Sequence, residues 1–231
     1  MLEHLGEKLI VNISIGGFSI RFDVVAMIMS WVVILLLVVL ALFLRRGLRQ
    51  RIEEKPSRVQ AALDALMNTL RSQLTSNFAS ERLSRELFCF ISTLFLFVLF
   101  CNWLSVIPYF QSPTQDLNVT LSLAMLVFAV SHVFAVRLKG GRKYLKGFLE
   151  PYAFMLPLNI VGEISRPLSH AFRLFGNIFG GAILITVISA RLIPLVLPAG
   201  LTAFFGLFFG AIQAFVFAIL AVAYINAAVE S

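Results

Sequence analysis

The sequence predicts an all-α membrane protein with about five membrane passes and one amphipathic surface helix. Hydrophobic residues make up 59% of its 231 positions and charged residues only 13%, which leaves too little polar surface for a soluble domain of this size. Several apolar runs reach the length of about 20 residues that a helix needs to cross the hydrocarbon core. Because these runs lack period-two alternation, the backbone must be satisfied within helices and not in a barrel.

The first third of the chain predicts an outer arm, one span and a surface helix. Residues 1–22 alternate weakly, which indicates an extended or interfacial arm, and they lack the pattern of a signal peptide. Residues 24–44 form the first apolar run and end in a basic cluster. Residues 57–85 instead predict an amphipathic helix on a membrane or partner surface. Its apolar residues recur at helical spacing: Leu63, Leu66, Met67, Leu70 and Leu74.

The remaining runs predict two ordinary spans followed by two long ones. Residues 87–136 contain the second span, 87–107, and the third, 119–136. The mainly apolar stretch from 148 to 189 would be about 63 Å long as one helix. It is therefore either two short passes or one strongly tilted helix, and its prolines are candidate kinks: Pro151, Pro157 and Pro167. Residues 201–229 form the last run.

The basic residues orient these spans. Nine Lys or Arg residues lie in 45–85 and five in 137–146, whereas the opposite loops hold none (108–117) and one (Arg191). The positive-inside rule places both rich loops in the cytoplasm, the N-terminus outside and the C-terminus inside. The net charge of +7 thus reflects membrane topology, and we expect no nucleic-acid partner.

Polar side chains recur on one side of the long run that ends at residue 189. Spacings of three or four residues align Glu163, Arg166, His170, Arg173 and Asn177 on one side of a helix. A charge deep in a bilayer costs roughly 3 to over 10 kcal/mol and marks an ion or substrate path. Arg173 cannot lose its proton, and Glu163 lies about 15 Å away along a helix. We therefore expect the partner carboxylate of Arg173 on another chain, while Glu163 and Arg166 could simply form a structural ion pair.

Small and polar residues mark a matching surface on the last run. Gly176, Gly180 and Gly181 allow a helix to approach closely, either this chain's own last helix or a partner. The last run carries its own stripe of Thr202, Gly206, Gly210, Gln213 and Phe217. Gln213 either faces Arg173 or packs as an amide between helices, since a buried amide needs hydrogen-bond partners.

Further polar residues leave alternatives open. The outer ends of the second and third spans could line an aqueous vestibule or form a plain solvated loop: Asn102, Ser105, Asp116, Asn118 and Thr120. His132 could relay protons or be a core histidine capped by a carbonyl. Cys89 and Cys101 lie too far apart to bridge. No nucleotide loop, catalytic triad or metal-ligand spacing occurs in the sequence, so we expect no cofactor, no metal and no catalysis by the chain alone.

Three motifs carry a resemblance to a known family. The segment SRPLSHAFRLFGNIFGG resembles the signature of subunit a of the F-type ATP synthases around its indispensable arginine, here Arg173. IQAFVFAILAVAYI is similar to the family's last helix, with Gln213 as its polar residue, and PTQDLNVTLSLAM is similar to an outer-loop motif. The resemblance covers nearly the whole chain from about Phe22.

The resemblance implies a stator subunit that couples H⁺ or Na⁺ flow to rotation through two half-channels. The expected partners are a c-subunit ring, the b-subunit peripheral stalk and other synthase subunits. The membrane would be a bacterial inner membrane, or that of an energy-converting organelle. Residues 148–229 would form a tilted helical hairpin against the ring. The implied ion path comprises Gln213, Asn177, His170, Glu163, Asn102, Ser105 and Asp116. The implied ring contacts are Gly176, Gly180, Gly181, Gly206 and Gly210.

The chain departs from this family pattern at two positions. Many relatives carry an acidic residue where this chain has Ala182, and a histidine or other polar residue where it has Gly206. Proton-relay duties at both positions are therefore absent, which leaves the coupling ion open. Two other interpretations remain: a stand-alone secondary transporter with its site between Glu163 and Arg173, and a structural membrane anchor.

Overall fold

Five long helices dominate the fold. The computed structural model of the chain describes residues 10–15, 18–49, 61, 64–65, 68–69, 71–73, 77–78, 80–107, 110–147, 153–189 and 196–230. Five helices within these ranges are long and apolar enough to cross a membrane. This finding confirms the predicted all-α membrane class. Within the same ranges, the one sheet is a two-stranded hairpin.

The described part of the predicted N-terminal arm is this hairpin. Strands β1 (Ile10–Ile15) and β2 (Phe18–Asp23) pair antiparallel, with Ile10 opposite Asp23. The first helix, α1 (Val24–Arg49), follows without a break. The Asp23 carboxylate begins it by accepting hydrogen bonds from the amides of Val25 (3.0 Å) and Ala26 (3.3 Å), as an N-cap residue does.

The predicted surface helix is described only in part. Its five apolar positions lie outside the described residues, and the described positions between 61 and 73 are helical and exposed. The second span, α2 (Glu81–Leu104), begins earlier than its apolar run because Ser80 caps it, its hydroxyl accepting from the amide of Leu83 at 3.3 Å. Residues 81–85 therefore belong to α2 and not to the surface segment.

A short 3₁₀ turn, Pro113–Gln115, links α2 to α3 (Leu117–Lys139). Asp116 caps α3 by accepting from the amide of Asn118 at 2.7 Å. Gly140 ends it with a φ of +82°, a left-handed conformation that glycine adopts without a steric penalty. The short basic helix α4 (Gly141–Gly147) follows.

The long apolar stretch is one continuous helix. A 3₁₀ turn, Ala153–Met155, precedes α5 (Leu156–Ser189), which has 34 residues and contains Pro167. At 1.5 Å per residue it is about 51 Å long, more than the roughly 30 Å of a hydrocarbon core. The single long helix is therefore the correct alternative, and two short passes are wrong.

The last run is a composite helix. It consists of α6 (Val196–Ala203), a π-helical turn (Phe204–Phe209) and α7 (Gly210–Glu230). Alanines let α7 pack closely between α2 and α3, since Ala214, Ala218 and Ala221 are fully buried. They join one core with α2, α3 and α5 that includes Ile91, Val98, Val127, Leu174 and Phe217.

Helix α1 packs on this bundle through a smaller cluster of Val33, Cys101 and Leu104. Its remaining surface is mostly apolar and exposed, for example at Trp31 and Phe43. Such a surface suits contact with lipid. Cys89 is exposed and Cys101 buried, and both are free thiols, as the sequence predicted.

Candidate functional site

Arg173 lies exposed on α5, with the exposed polar residues Ser169 and Asn177 one turn to either side. Its neighbours along the helix, Phe172 and Phe179, are also exposed. Within the described part of the chain, its guanidinium forms no hydrogen bond or ion pair. Glu163, the nearest acidic residue along α5, is instead held by Arg166, whose Nη1 donates to Glu163 Oε1 at 2.6 Å. The structural ion pair considered for Glu163 and Arg166 is therefore present, and it leaves Arg173 without an anion from α5.

His170, one turn before Arg173, points in a different direction. It is 1% exposed and packs between α5 and α7, with its ring 3.8 Å from that of Phe217 and 5.3 Å from that of Tyr224. Neither ring nitrogen forms a hydrogen bond to a described residue. The predicted stripe is thus divided, with His170 inside the bundle and Arg173 on its surface.

Asn177, one turn after Arg173, is tied to the last helix. Its Nδ2 donates to Gln213 Oε1 at 2.9 Å. Gln213 is buried, and its Nε2 has no hydrogen-bond partner among the described residues. Two roles were considered for Gln213, and the observed bond is that of an amide packed between helices. This bond links α5 to α7 beside Arg173.

A cavity of about 230 Å³ opens beside this amide pair. It lies between α5, the α6–π segment, the end of α2 and the 3₁₀ turn that precedes α3. Its polar lining consists of Ser105, Gln115, Asn177, Thr186 and Thr202. The sequence had singled out Ser105 and Asn177 for the ion path, and the fold brings them together. Gln115 and Thr186 were missed, although each interrupts or borders an apolar run.

Asn102, also predicted for the ion path, is a buried structural bridge. Its Nδ2 donates to the carbonyl of Gly210 at 2.9 Å, and its Oδ1 accepts from Thr114 Oγ1 at 2.8 Å. Trp103 Nε1 donates to the carbonyl of Leu207 at 3.3 Å. These two α2 side chains therefore hold the π-helical turn, a feature that often occurs at functional sites.

The five predicted contact glycines have three different surroundings. A Cβ on Gly206 would lie 2.4 Å from Val106 Cγ2, and one on Gly210 would lie 2.9 Å from Asn102 Cβ. Both glycines therefore lie against the end of α2 and the residues that follow it in the same chain, and their predicted contact with a partner stays a prediction. A Cβ on Gly181 would lie 3.6 Å from the Phe205 ring, whereas one on Gly176 or Gly180 would meet no described atom within 4 Å.

A second polar cluster lies toward the opposite end of α5. Glu163 Oε2 is 4.0 Å from His132 Nε2, and Ser131 Oγ is 3.2 Å from His132 Nδ1. His132 thus meets a carboxylate and a hydroxyl, not the backbone carbonyl that was considered. The ring of Tyr144 on α4 lies 5.8 Å from that of His132. Burial raises the pKa of the Tyr144 phenol, and the charge of Glu163 raises it further.

Asp116 lies apart from both clusters. Together with Asp23 and Asn118 it lines a separate cavity of about 320 Å³ between α1 and α3, whose walls are mostly apolar. The outer polar residues therefore do not form one vestibule in this structure. Ser105 faces the cavity beside Asn177, Asp116 faces the cavity beside α1, and Thr120 is buried.

Known proteins resemble the chain over most of its length. The family model described as ATP synthase A chain matches residues 27–226. ATP synthase subunit a 2 of Picosynechococcus sp. is 48% identical over 139 residues, which cover 60% of this chain and 59% of the relative. ATP synthase subunit a 1 of Crocosphaera subtropica is 42% identical over 147 residues (64% and 63%), and ATP synthase subunit a of Legionella pneumophila (strain Corby) is 40% identical over 148 (63% and 62%). The chain thus spans about three fifths of the length of these relatives.

Proposed function

This chain belongs to the ATP synthase A chain family, and on that premise we propose that it is the ion-translocating stator subunit of an F-type ATP synthase. It provides the fixed wall past which ions enter and leave a rotating ring of c subunits. Nucleotide chemistry takes place on other subunits of the complex, and this chain binds no nucleotide. Family membership does not favour a stand-alone secondary transporter.

The observation that carries the proposal is the exposed, unpaired guanidinium of Arg173. A permanent cation on an apolar, lipid-facing surface is costly unless an anion meets it. Within the described residues, this chain supplies no such anion to Arg173. Gly176 and Gly180 leave open space on the same helix, which suits the close approach of a partner helix. A ring of helices that carry carboxylates would fill the space and neutralise the charge in turn.

The mechanism follows from the electrostatics of a carboxylate in lipid. Each ring carboxylate is neutral while it faces lipid, because ionising it there is expensive. Beside Arg173 it releases its ion, and the guanidinium stabilises the resulting anion through charge-assisted attraction. Arg173 also repels cations that would otherwise pass directly from one half-channel to the other. Ions therefore cross only by travelling on the ring, and each charge contributes about 2.3 kcal/mol per 100 mV.

Two polar regions support the positions of the half-channels. On the outer side, we propose the cavity that contains Ser105 and Asn177, with Gln213 holding Asn177 in place. On the cytoplasmic side, we propose the cluster around Glu163, with buried His170 between this cluster and Arg173. The excess of Lys and Arg in 45–85 and 137–146 supports a cytoplasmic position of α4 and the C-terminus. A bacterial inner membrane and a peripheral stalk of b subunits complete the proposed setting.

Replacement of Arg173 tests the proposal. In the assembled complex reconstituted into liposomes, Arg173→Ala should abolish ATP-driven ion pumping and leave at most a passive leak. Arg173→Lys should also lose nearly all pumping, because lysine keeps the charge but not the flat, delocalised guanidinium. Arg142→Ala is the matched control, since Arg142 is exposed on α4. Coupled pumping by Arg173→Ala would refute the proposal.

Purification provides an independent test against the transporter. Under mild detergent, the stator subunit should co-purify with a ring of small helical subunits and with a nucleotide-binding sector. Isolation as a homodimer that transports a solute by itself would support the transporter instead.

A further inference from the structure

Among the residues that the structure describes, no ionisable side chain lines the outer cavity. Among the described residues around it, the polar side chains are two amides and three hydroxyls: Gln115, Asn177, Ser105, Thr186 and Thr202. The rest of the lining is apolar, and Ala182 and Gly206 both belong to it. The two positions at which the sequence departs from its family pattern therefore meet in one space.

Close packing at Gly206 leaves no space for a polar or charged side chain at this position. A Cβ there would lie 2.4 Å from Val106 Cγ2 and 3.1 Å from Ser105 Oγ, so the position excludes any larger side chain unless Val106 or the helix moves. The close contact at the π-helical turn therefore requires glycine at position 206 and leaves no room for the polar side chain of the family pattern. Ala182 differs, because it is half-buried on the cavity wall and a longer side chain could extend into the open volume.

Resting on the proposed function, we infer that this cavity conducts its ion as a hydrated monovalent cation, Na⁺ or hydronium, across neutral oxygens and without protonation of any side chain. The hydroxyl and amide groups of the described lining do not ionise near neutral pH, so none of them can bind a proton and release it as a carboxylate or an imidazole does. Their oxygens can replace part of a cation's hydration shell. A volume of about 230 Å³ leaves room for several water molecules beside the ion.

The geometry also defines where this route ends. Asn177 lines the cavity and lies one turn from Arg173, while its amide is held by Gln213 at 2.9 Å. The cation therefore meets the fixed charge of Arg173 as it leaves the cavity. Because like charges repel, its onward path is to the anionic ring carboxylate beside Arg173 and not to the opposite side of the membrane.

A pair of substitutions at Ala182 tests this inference. Ala182→Glu places a carboxylate in the cavity, and Ala182→Gln adds nearly the same volume without charge. ATP synthesis by the reconstituted complex is measured against the outer ion concentration in two arms: a Na⁺ gradient with a protonophore, and a proton gradient in Na⁺-free buffer. In each arm that drives synthesis, Ala182→Glu should lower the half-saturating ion concentration about fivefold or more. Ala182→Gln should not lower it.

The Na⁺ arm adds a pH criterion. Wild type and Ala182→Gln should share one pH dependence of the half-saturating Na⁺ concentration between pH 6 and 8, which the ring carboxylate sets, because neither has an ionisable side chain in the described lining. Ala182→Glu should lose its advantage as the pH falls and the new carboxylate becomes protonated. Equal behaviour of Ala182→Glu and Ala182→Gln across this pH range would overturn the inference.

Removal of lining hydroxyls provides a second test that adds no volume. Thr186→Val and Thr202→Val should each raise the half-saturating concentration about threefold to tenfold, the effect of losing one polar contact. Thr93→Val is the control, because Thr93 is exposed on α2 and donates to the carbonyl of Cys89. Equal half-saturating concentrations for all three variants would overturn this inference but not the proposed function. Absence of ion-driven synthesis by wild type in both arms would instead overturn the proposed function.

Discussion

The approach of α2 to the last helix at Gly206 predicts a large penalty for a single added methyl group. Gly206→Ala would place Cβ 2.4 Å from Val106 Cγ2, well inside the 3.5–4.0 Å at which carbon atoms attract. Relief requires a movement of more than 1 Å by Val106 or by the helix. Overpacking of this kind typically costs about 1–3 kcal/mol.

Helix propensity works in the opposite direction and must be separated from this cost. Glycine is about 0.5–1 kcal/mol less favourable than alanine within a helix. Gly162→Ala is the matched control, because a Cβ on this α5 residue would meet no described atom within 4 Å. We expect Gly162→Ala to stabilise the complex slightly and Gly206→Ala to destabilise it.

Thermal unfolding of the detergent-solubilised complex measures both effects. For a chain of this size, each kcal/mol shifts the melting temperature by about 2–4 °C, so Gly206→Ala should lower it by about 2–12 °C. Val106→Ala removes the opposing Cγ2, and in the double variant the loss should be smaller than the sum of the two single losses. If Gly206→Ala and Gly162→Ala raised the melting temperature equally, the helices would not approach as closely as described.

Three further predictions concern buried polar contacts. Asn102→Leu should destabilise the complex by about 1–3 kcal/mol, because it leaves the buried carbonyl of Gly210 without its donor; thermal unfolding measures the loss, and a neutral result would contradict the bridge. Glu163→Gln should destabilise more than Glu163→Gln/Arg166→Gln, since the single change leaves the half-buried cation unpaired; additive losses would argue against the pair. Because burial raises the pKa of Tyr144 above its usual 10.0, the neutral phenol stabilises the fold below pH 10 and this contribution is lost at higher pH. An ultraviolet difference titration of wild type against Tyr144→Phe should show ionisation above pH 10, and ionisation at or below pH 10 would contradict it.

Periodicity and charge were sufficient for most of the architecture. Apolar run lengths identified the five helices, because the thickness of a bilayer fixes the number of residues that a span requires. The boundaries were less certain, since caps and not hydropathy set them: Ser80 begins α2 within a charged segment that looked like part of the surface helix. The surface helix itself remains a prediction, as its apolar positions lie outside the described residues.

Residue spacing along the sequence predicted some residues of the candidate site but not the roles of others. Arg173 stood out because a permanent charge in an apolar run requires an explanation at any orientation. The role of Asn102 was not predictable, since a polar residue in a span can face water or a neighbouring helix with the same sequence pattern. Its bond to Gly210 joins residues 108 positions apart, and no local periodicity reports such a pairing.

The sequence by itself determined that the chain spans a membrane, which loops carry the positive charge, and that one arginine has no carboxylate within reach along its own helix. Tertiary structure decided which polar residues share a space. Gly206 packs closely against Val106. One cavity is lined by residues from separate parts of the chain: Ser105, Asn177, Ala182, Thr186 and Thr202. The reason is that side-chain chemistry and helical period are local properties, whereas the wall of a cavity is set by which helices pack together and by how closely they approach.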